Sequence, residues 1–334
     1  MMKKVLFYSS VADKKLFHIQ QFYQIDIKLL EEMGYEVLLS NSIYDALKFW
    51  KYDFVFAYFY RYALYVAFVA KLFGKNTYFT GGIDALDKNY SSPKNYKIQK
   101  WFFKLCYWLS KSCIIVSKTD DANVRQLVKG GKLSYSEHTI KVAHFKCEQS
   151  QKENNFVTIG WQETVGNVIR KGMDTSIRLF AELKKLPEYK NSKLYILGKT
   201  GEGTKYLEGI VKEFGIENCV QFTGSVSEEQ KVDYLKRSKH YFQLSIFEGF
   251  GVAALEALCA KCIVIHSGKG GLNNSIYDNG IRIDIDKSID VMFEELKVKL
   301  ASFEAEKLEK GCREVCDRYD NERRKEDFKK IITE

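Results

Sequence analysis

HYFQLSIFEGFGVAALEALCAKCIVIHS, residues 240–267, reads as one complete strand–turn–helix–strand unit. His240 to Ser245 and Cys262 to Ser267 are short apolar runs of strand length. Between them Val252 to Ala260 reads as a helix, opened by the turn Glu248-Gly249-Phe250-Gly251. Strands joined through a helix imply a right-handed βαβ crossover and a parallel sheet. The same alternation extends upstream. Residues 156–161, 193–198 and 219–225 read as strands, and 173–186, 206–214 and 227–237 as helices.

The first half repeats the pattern independently. Residues 5–10, 35–41, 53–60, 76–80 and 112–117 read as strands, with helices over 17–33, 62–73 and 94–110. Between the halves lies KCEQSQKENN (146–155), short and polar, which reads as a linker. A length of 334 residues suits two domains of roughly 150 each. The expected fold is α/β: two Rossmann-like, doubly wound domains facing a cleft. Their expected bounds are 1–150 and 151–315, with a C-terminal helix over 316–334 returning toward the first domain. Ligands of open parallel sheets sit at the carboxyl ends of the strands, which places the expected site in that cleft.

Composition narrows the function classes. Hydrophobic residues make up 46% of the chain, yet no apolar run reaches the roughly 18 residues of a membrane span. The opening MMKKVLFYSS runs into Asp13, Lys14 and Lys15 without a small-residue cleavage site, so it reads as a first strand, and a cytoplasmic location is expected. The eight cysteines read as reduced thiols, several in apolar surroundings. Cys259 and Cys262 form a C-x-x-C without the second pair a zinc ribbon needs, and Cys312 and Cys316 lie four apart on an expected helix.

Charge is uneven: residues 1–150 carry 22 Lys+Arg against 13 Asp+Glu, whereas 151–334 carry 30 of each. The whole excess of +9 therefore lies in the first half. Within it, KNYKIQKWFFKLCYWLSKS (94–112) interleaves lysines with aromatics. Such a segment is either a core helix with a solvated basic face or an interfacial helix on an anionic membrane. The membrane surface is the expected partner. Single-stranded nucleic acid is the other ligand of basic aromatic surfaces, but no nucleic-acid motif accompanies this one, and none is expected to bind.

The chemistry concentrates in the second half. Gly249 and Gly251 let a ligand approach the backbone. The amides of Phe250, Gly251 and Val252 open a helix, where free N–H groups and the helix dipole favour phosphate. Glu248 and Glu256 flank that anion site, and carboxylates accept from hydroxyls, so the ligand expected there carries both phosphate and hydroxyl groups. Arg170 and Lys171, on the loop that begins at Gly160, add cations suited to phosphate.

These residues resemble family 4 of the retaining GT-B glycosyltransferases. The match rests on E-G-F-G-x-x-x-x-E-A (248–257), on Lys171-Gly172 after the first strand of the second domain, and on Phe222-x-Gly224. The resemblance implies that Arg170 and Lys171 hold a donor diphosphate, that Glu248 meets the donor sugar, that Glu256 meets the ribose, and that Ser225 and Val226 lie against the base. It implies no cofactor. Three segments depart from the family pattern. Lys261-Cys262 stands where Gly-x-Pro is usual, Ser9-Ser10-Val11-Ala12 replaces a glycine pair, and Gly81-Gly82-Ile83-Asp84 occupies an H-G-x-D position with glycine in place of histidine. Asp84 is the first-domain candidate for contact with sugar or acceptor, with Gly81 and Gly82 beside it.

Other signals carry less. Gly198-Lys199-Thr200 lacks the earlier glycine of a P-loop. Asp284-Ile285-Asp286 reads as a strand edge or loop and not as a metal clamp, and the histidines at 18, 138, 144, 240 and 266 form no ligand spacing. The resemblance therefore implies a metal-independent transfer of a hexose-type sugar, from a nucleotide diphosphate donor (UDP favoured) to a glycan or lipid-linked acceptor in bacterial surface-polysaccharide synthesis. A non-catalytic nucleotide-sugar or glycan binder and a GT-B epimerase are the alternatives.

Overall fold

Alternating aromatic and branched residues turn each short apolar run into a strand with two buried faces. In β1 (Lys4–Tyr8) and β3 (Phe54–Tyr58), Val5, Phe7, Phe54 and Phe56 point to one face, and Leu6, Tyr8, Val55 and Ala57 to the other. The computed structural model describes residues 2–81, 83–88, 91–147 and 152–333. Cα packing divides the chain into two units, Met1–Ile140 with Tyr319–Glu334, and Lys141–Arg318. The sequence reading set the divisions at 150/151 and 315/316.

The first unit adds β2 (Glu36–Ser40), β4 (Asn76–Thr80), β5 (Ser112–Ile115) and β6 (Leu133–Tyr135). All pair in parallel in the order β2-β1-β3-β4-β5-β6. One face is covered by the helix Gln21–Glu32 and by Phe328, the other by the helices Tyr60–Leu72 and Pro93–Leu109.

The second unit repeats the plan with β7 (Glu153–Ile159), β8 (Leu194–Leu197), β9 (Val220–Gly224), β10 (Ser238–Gln243), β11 (Ile263–His266) and β12 (Ile281–Arg282). Their order is β12-β11-β10-β7-β8-β9, again parallel throughout. The chain winds outward from β7 to β9, then returns to the other side of β7 to lay down β10, β11 and β12. The strand order therefore reverses between β7 and β10, the position where doubly wound sheets open a ligand crevice.

Several elements differ from the sequence reading. The expected helix 17–33 is a 3-10 turn at Lys14–His18 followed by the helix Gln21–Glu32. Helices Lys118–Arg125 and Val165–Arg170 were not anticipated, because KTDDANVR and VGNVIR each bury a single valine and show no apolar stripe. The C-terminal helix expected over 316–334 is two helices. Ala305–Arg318 ends inside the second unit, and Asn321–Thr333 belongs to the first.

The anchor of that last helix is Arg324, with no exposed surface. Its Nε and Nη2 donate to the two carboxylate oxygens of Asp26 at 2.6 and 2.8 Å, and its Nη1 donates to the carbonyls of Ser136 and Glu137 at 2.7 and 2.9 Å. The Tyr58 hydroxyl donates to the same Asp26 at 2.5 Å. A buried ion pair is tolerable only when its remaining hydrogen-bonding capacity is met, as it is here.

Candidate active site

The chain leaves β7 at Gly160 and reaches the switch point through the helix Val165–Arg170, capped by the Thr164 hydroxyl. Arg170 and Lys171, expected on an open loop, instead stand at the C-terminal end of this helix. Gly172 then turns at φ +64, and a Cβ there would lie 2.0 Å from the carbonyl oxygen of Leu244. Only glycine lets the 170–172 turn press against the exit of β10. The Ile246 amide donates to the Arg170 carbonyl at 2.9 Å and ties the two segments together.

That closure sets Lys171 Nζ 2.5 Å from Glu248 Oε2, with both side chains mostly buried. Gln243 Nε2 and Ser245 Oγ each reach the same carboxylate oxygen at 3.3 Å, and the Tyr241 hydroxyl donates to Gln243 Oε1 at 2.8 Å. Glu248 is thus fixed by a cation and two neutral donors on the loop leaving β10. Gln243, Ser245 and Tyr241 were missed in the sequence because polar residues inside the run HYFQLS look like interruptions of a strand.

Phe250, Gly251 and Val252 stand where expected, with Gly251 capping the helix Val252–Cys259. The first amides of any α-helix lack intrahelical acceptors, so this end offers N–H groups to an anion. The glycines here serve packing. Gly251 has φ +90 with a Leu272 methyl beneath it, and the loop 270–271 lies against the backbone of Glu248 and Gly249.

Glu256 is brought to the same helix but only 2% exposed, and it faces Lys231 from the helix Glu228–Arg237. Lys231 Nζ lies 2.9 Å from Glu256 and 3.1 Å from Glu228, above the ring of Phe145. Burial pushes the Glu256 carboxyl above its usual range, and the Lys231 ammonium pulls it part of the way back. Lys231→Met should therefore destabilise the second unit by on the order of 2–3 kcal/mol at pH 8. A carboxyl with a raised folded pKa contributes its stability at low pH and loses it as pH rises, so the loss should shrink near pH 5. Thermal unfolding of variant and wild type at the two pH values checks this; equal losses at both would contradict it.

Gly160 packs under Met173 and Lys171, where a Cβ would meet the Met173 methyl at 2.5 Å. Ser225 and Val226 follow β9, beyond β8 from the switch point. At about 4.8 Å per strand, two strand spacings place them ~10 Å from β7, a span suited to a nucleotide lying along the strand ends.

The first-unit candidates lie at the carboxyl end of β4. Gly81 is half-buried, and Asp84 stands half-buried in the 3-10 turn Ile83–Leu86. Gly82 lies outside the described residues. Asp84 faces a carboxylate that sequence reasoning missed: Asp120, in the first turn of the helix Lys118–Arg125. Burial, then the charges of Asp84 and Asp87, pushes the Asp120 carboxyl up to about 8. Such a group holds its proton more tightly folded than unfolded, so its stabilisation is lost as pH rises toward 8. Asp120→Asn should therefore lose less thermal stability than wild type between about pH 6 and about pH 9. Parallel pH profiles of the unfolding midpoint would contradict that.

Among the described residues no group of three metal-ligating side chains converges. Asp286 pairs with Lys269 at 2.5 Å, and Asp284 accepts from the Asp286 amide. Cys262 lies against the carbonyls of Leu235 and Ser238, and Cys259 faces Cys316 with 3.0 Å between sulfurs, so the C-x-x-C spacing joins nothing.

Residues 146–318, just over half of the chain, match the family model described as glycosyl transferases group 1. The chain belongs to that family. It is 34% identical over 103 residues to an uncharacterized glycosyltransferase of Methanocaldococcus jannaschii, covering 31% of this chain and 25% of the relative. It is 28% identical over 116 residues to the D-inositol 3-phosphate glycosyltransferase of Kineococcus radiotolerans, covering 33% and 27%. The matched segments thus span about a quarter of these curated relatives. Among solved structures, Anabaena HepE in complex with UDP-glucose superimposes with a TM-score of 0.77 at 15% identity, covering 100% of both chains. The chain thus has the GT-B fold, two parallel six-stranded sheets flanked by helices.

Proposed function

We propose that this glycosyltransferase is a retaining, metal-independent hexosyltransferase of family 4 that uses a UDP-sugar to build a cell-surface glycan. The observation that carries the reading is the Lys171–Glu248 pair held at the β7/β10 switch point beside the helix that opens at Val252. A cation, helix amides and a fixed carboxylate together match a sugar joined to a diphosphate. Support for uridine comes from HepE, whose structure holds UDP-glucose.

Arg170, Lys171 and the amides of 250–252 take the charge of the diphosphate, so the leaving group departs without a metal. Glu248 accepts hydroxyls of the donor sugar, Glu256 those of the ribose, and Ser225 and Val226 border the base. The bond from the anomeric carbon to the phosphate oxygen breaks as the acceptor hydroxyl oxygen bonds to that carbon from the same face. The hydroxyl proton passes to the departing phosphate oxygen. Positioning and electrostatic stabilisation of the leaving charge supply the rate. Asp84 is assigned to the sugar or acceptor, which is a glycan or lipid-linked glycan met at the cytoplasmic surface of an anionic membrane.

The test is release of UDP from UDP-glucose and other UDP-sugars in the presence of EDTA, beside GDP-, ADP- and TDP-sugars. UDP release that survives chelation is expected. Turnover lost on chelation and restored by manganese would overturn the metal-free route, and nucleotide binding without any release would favour a non-catalytic binder.

A further inference from the structure

The two helices that cover one face of the first unit, Tyr60–Leu72 and Pro93–Leu109, bury one side each and leave an apolar stripe outside. On the first the stripe is Tyr65, Phe68 and Leu72; on the second it is Ile98, Trp101, Leu105 and Trp108. These are helical spacings of three and four, so each set shares a face. Trp101 and Trp108 are 58% and 63% exposed, and Phe68 is 50% exposed. Between the stripes runs an open cavity of about 520 Å³, lined by Arg61, Tyr65, Phe68, Phe102, Leu105 and Trp108 among others.

Cations rim this face. Arg61 and Lys71 lie on the first helix, and Lys94, Lys97, Lys100 and Lys104 on the second; neither helix contains an aspartate or glutamate. Lys71 Nζ sits 4.5 Å over the Trp108 ring and Arg61 lies 5.7 Å from the Phe102 ring, so cationic and apolar groups form one surface. A second copy of this chain is a poor occupant. A two-fold contact would set the same six cations against themselves with no acidic partner. An anionic lipid bilayer supplies both what the rim and what the groove require.

We propose that this two-helix face is a membrane-docking surface, whose lysines and arginine take anionic headgroups while Trp101, Trp108 and the groove take lipid hydrocarbon. It extends the basic segment 94–112 to a second helix and names where lipid chains enter. For its purpose it rests on the membrane-acceptor reading above.

The test is co-sedimentation with phosphatidylcholine vesicles, with and without phosphatidylglycerol, at low and high salt. Quenching of tryptophan by lipids brominated on the acyl chain is read in parallel. UDP-sugar binding and UDP release are measured on the same samples. Wild type should bind the anionic vesicles at low salt, lose them at high salt, and be quenched by the brominated lipid. A Trp101→Gln/Trp108→Gln double variant should partition about tenfold or more weakly with UDP-sugar binding unchanged. Both side chains are largely exposed, so the fold should tolerate the change. Lys97→Gln/Lys104→Gln should weaken binding to anionic vesicles only. Wild type left in the supernatant at low salt would overturn the docking, as would undiminished binding by the tryptophan variant. So would a dimer that the variant abolishes while vesicles go unbound. Loss of UDP release with vesicle binding intact would instead sink the enzymatic reading and spare the docking.

Discussion

Lys171→Ala is expected to lower UDP-sugar affinity by about tenfold to a hundredfold, and kcat/KM by about a hundredfold to a thousandfold. Two losses combine. A charge-assisted contact to the diphosphate disappears, worth about 1.5–3 kcal/mol. Glu248, now 2.5 Å from that ammonium, would then face the diphosphate as an unneutralised carboxylate. The second effect separates this prediction from that of a generic surface lysine. Lys171→Ala combined with Glu248→Gln should recover part of the binding but not the turnover, because the neutral amide removes the repulsion and also the charged acceptor proposed for the sugar hydroxyls. Titration calorimetry and initial rates read the two effects separately. An unchanged affinity in a folded Lys171→Ala variant would remove Lys171 from the donor site.

The largest stability effect is expected at Arg324→Met. Methionine fills part of the volume, but Asp26 would remain buried with no counter-ion, and the carbonyls of Ser136 and Glu137 would lose their donors. Breaking a buried pair from one side costs about 3–5 kcal/mol. For a unit of this size that corresponds to roughly 10 °C or more in the first transition of a thermal scan. Lys325→Met, one residue along the same helix, removes only pairs with Glu32 and Glu322 near the surface and should shift the midpoint far less. Similar small shifts for the two variants would mean that the C-terminal helix is not anchored by the Arg324 network. Donor affinity should survive Arg324→Met, since the residues proposed to hold the diphosphate and ribose lie in the other unit.

The sequence was most legible where apolar runs and glycine turns coincide. Residues 240–267 gave the strand, turn, helix and second strand because HYFQLS and CIVIHS are strand-length apolar runs on either side of a glycine pair. It was least legible where polar residues act in pairs across the fold. Lys231 is one of two lysines on a polar helix, and nothing local marks it as the partner of Glu256, 25 residues on. Asp120 looks like an ordinary residue of a capped first turn until Asp84 and Asp87 are placed beside it. The C-x-x-C at 259–262, read as two reduced thiols for want of a second pair, lies at the end of a helix and just before a strand, where the two thiols face different neighbours. Arg324 lies in NERRKEDFKK, a run so charged that it reads as solvated, yet one of its arginines is the most deeply buried cation of its unit.

The most direct test of the whole account is the proton NMR time course of UDP-glucose incubated with wild-type protein and EDTA, with Glu248→Gln as control. The account predicts that UDP is released and that the freed or transferred glucose appears first as the α anomer, with the control inert. Glucose appearing first as the β anomer, or a wild-type sample in which UDP-glucose stays intact while every other UDP-sugar does too, would contradict it.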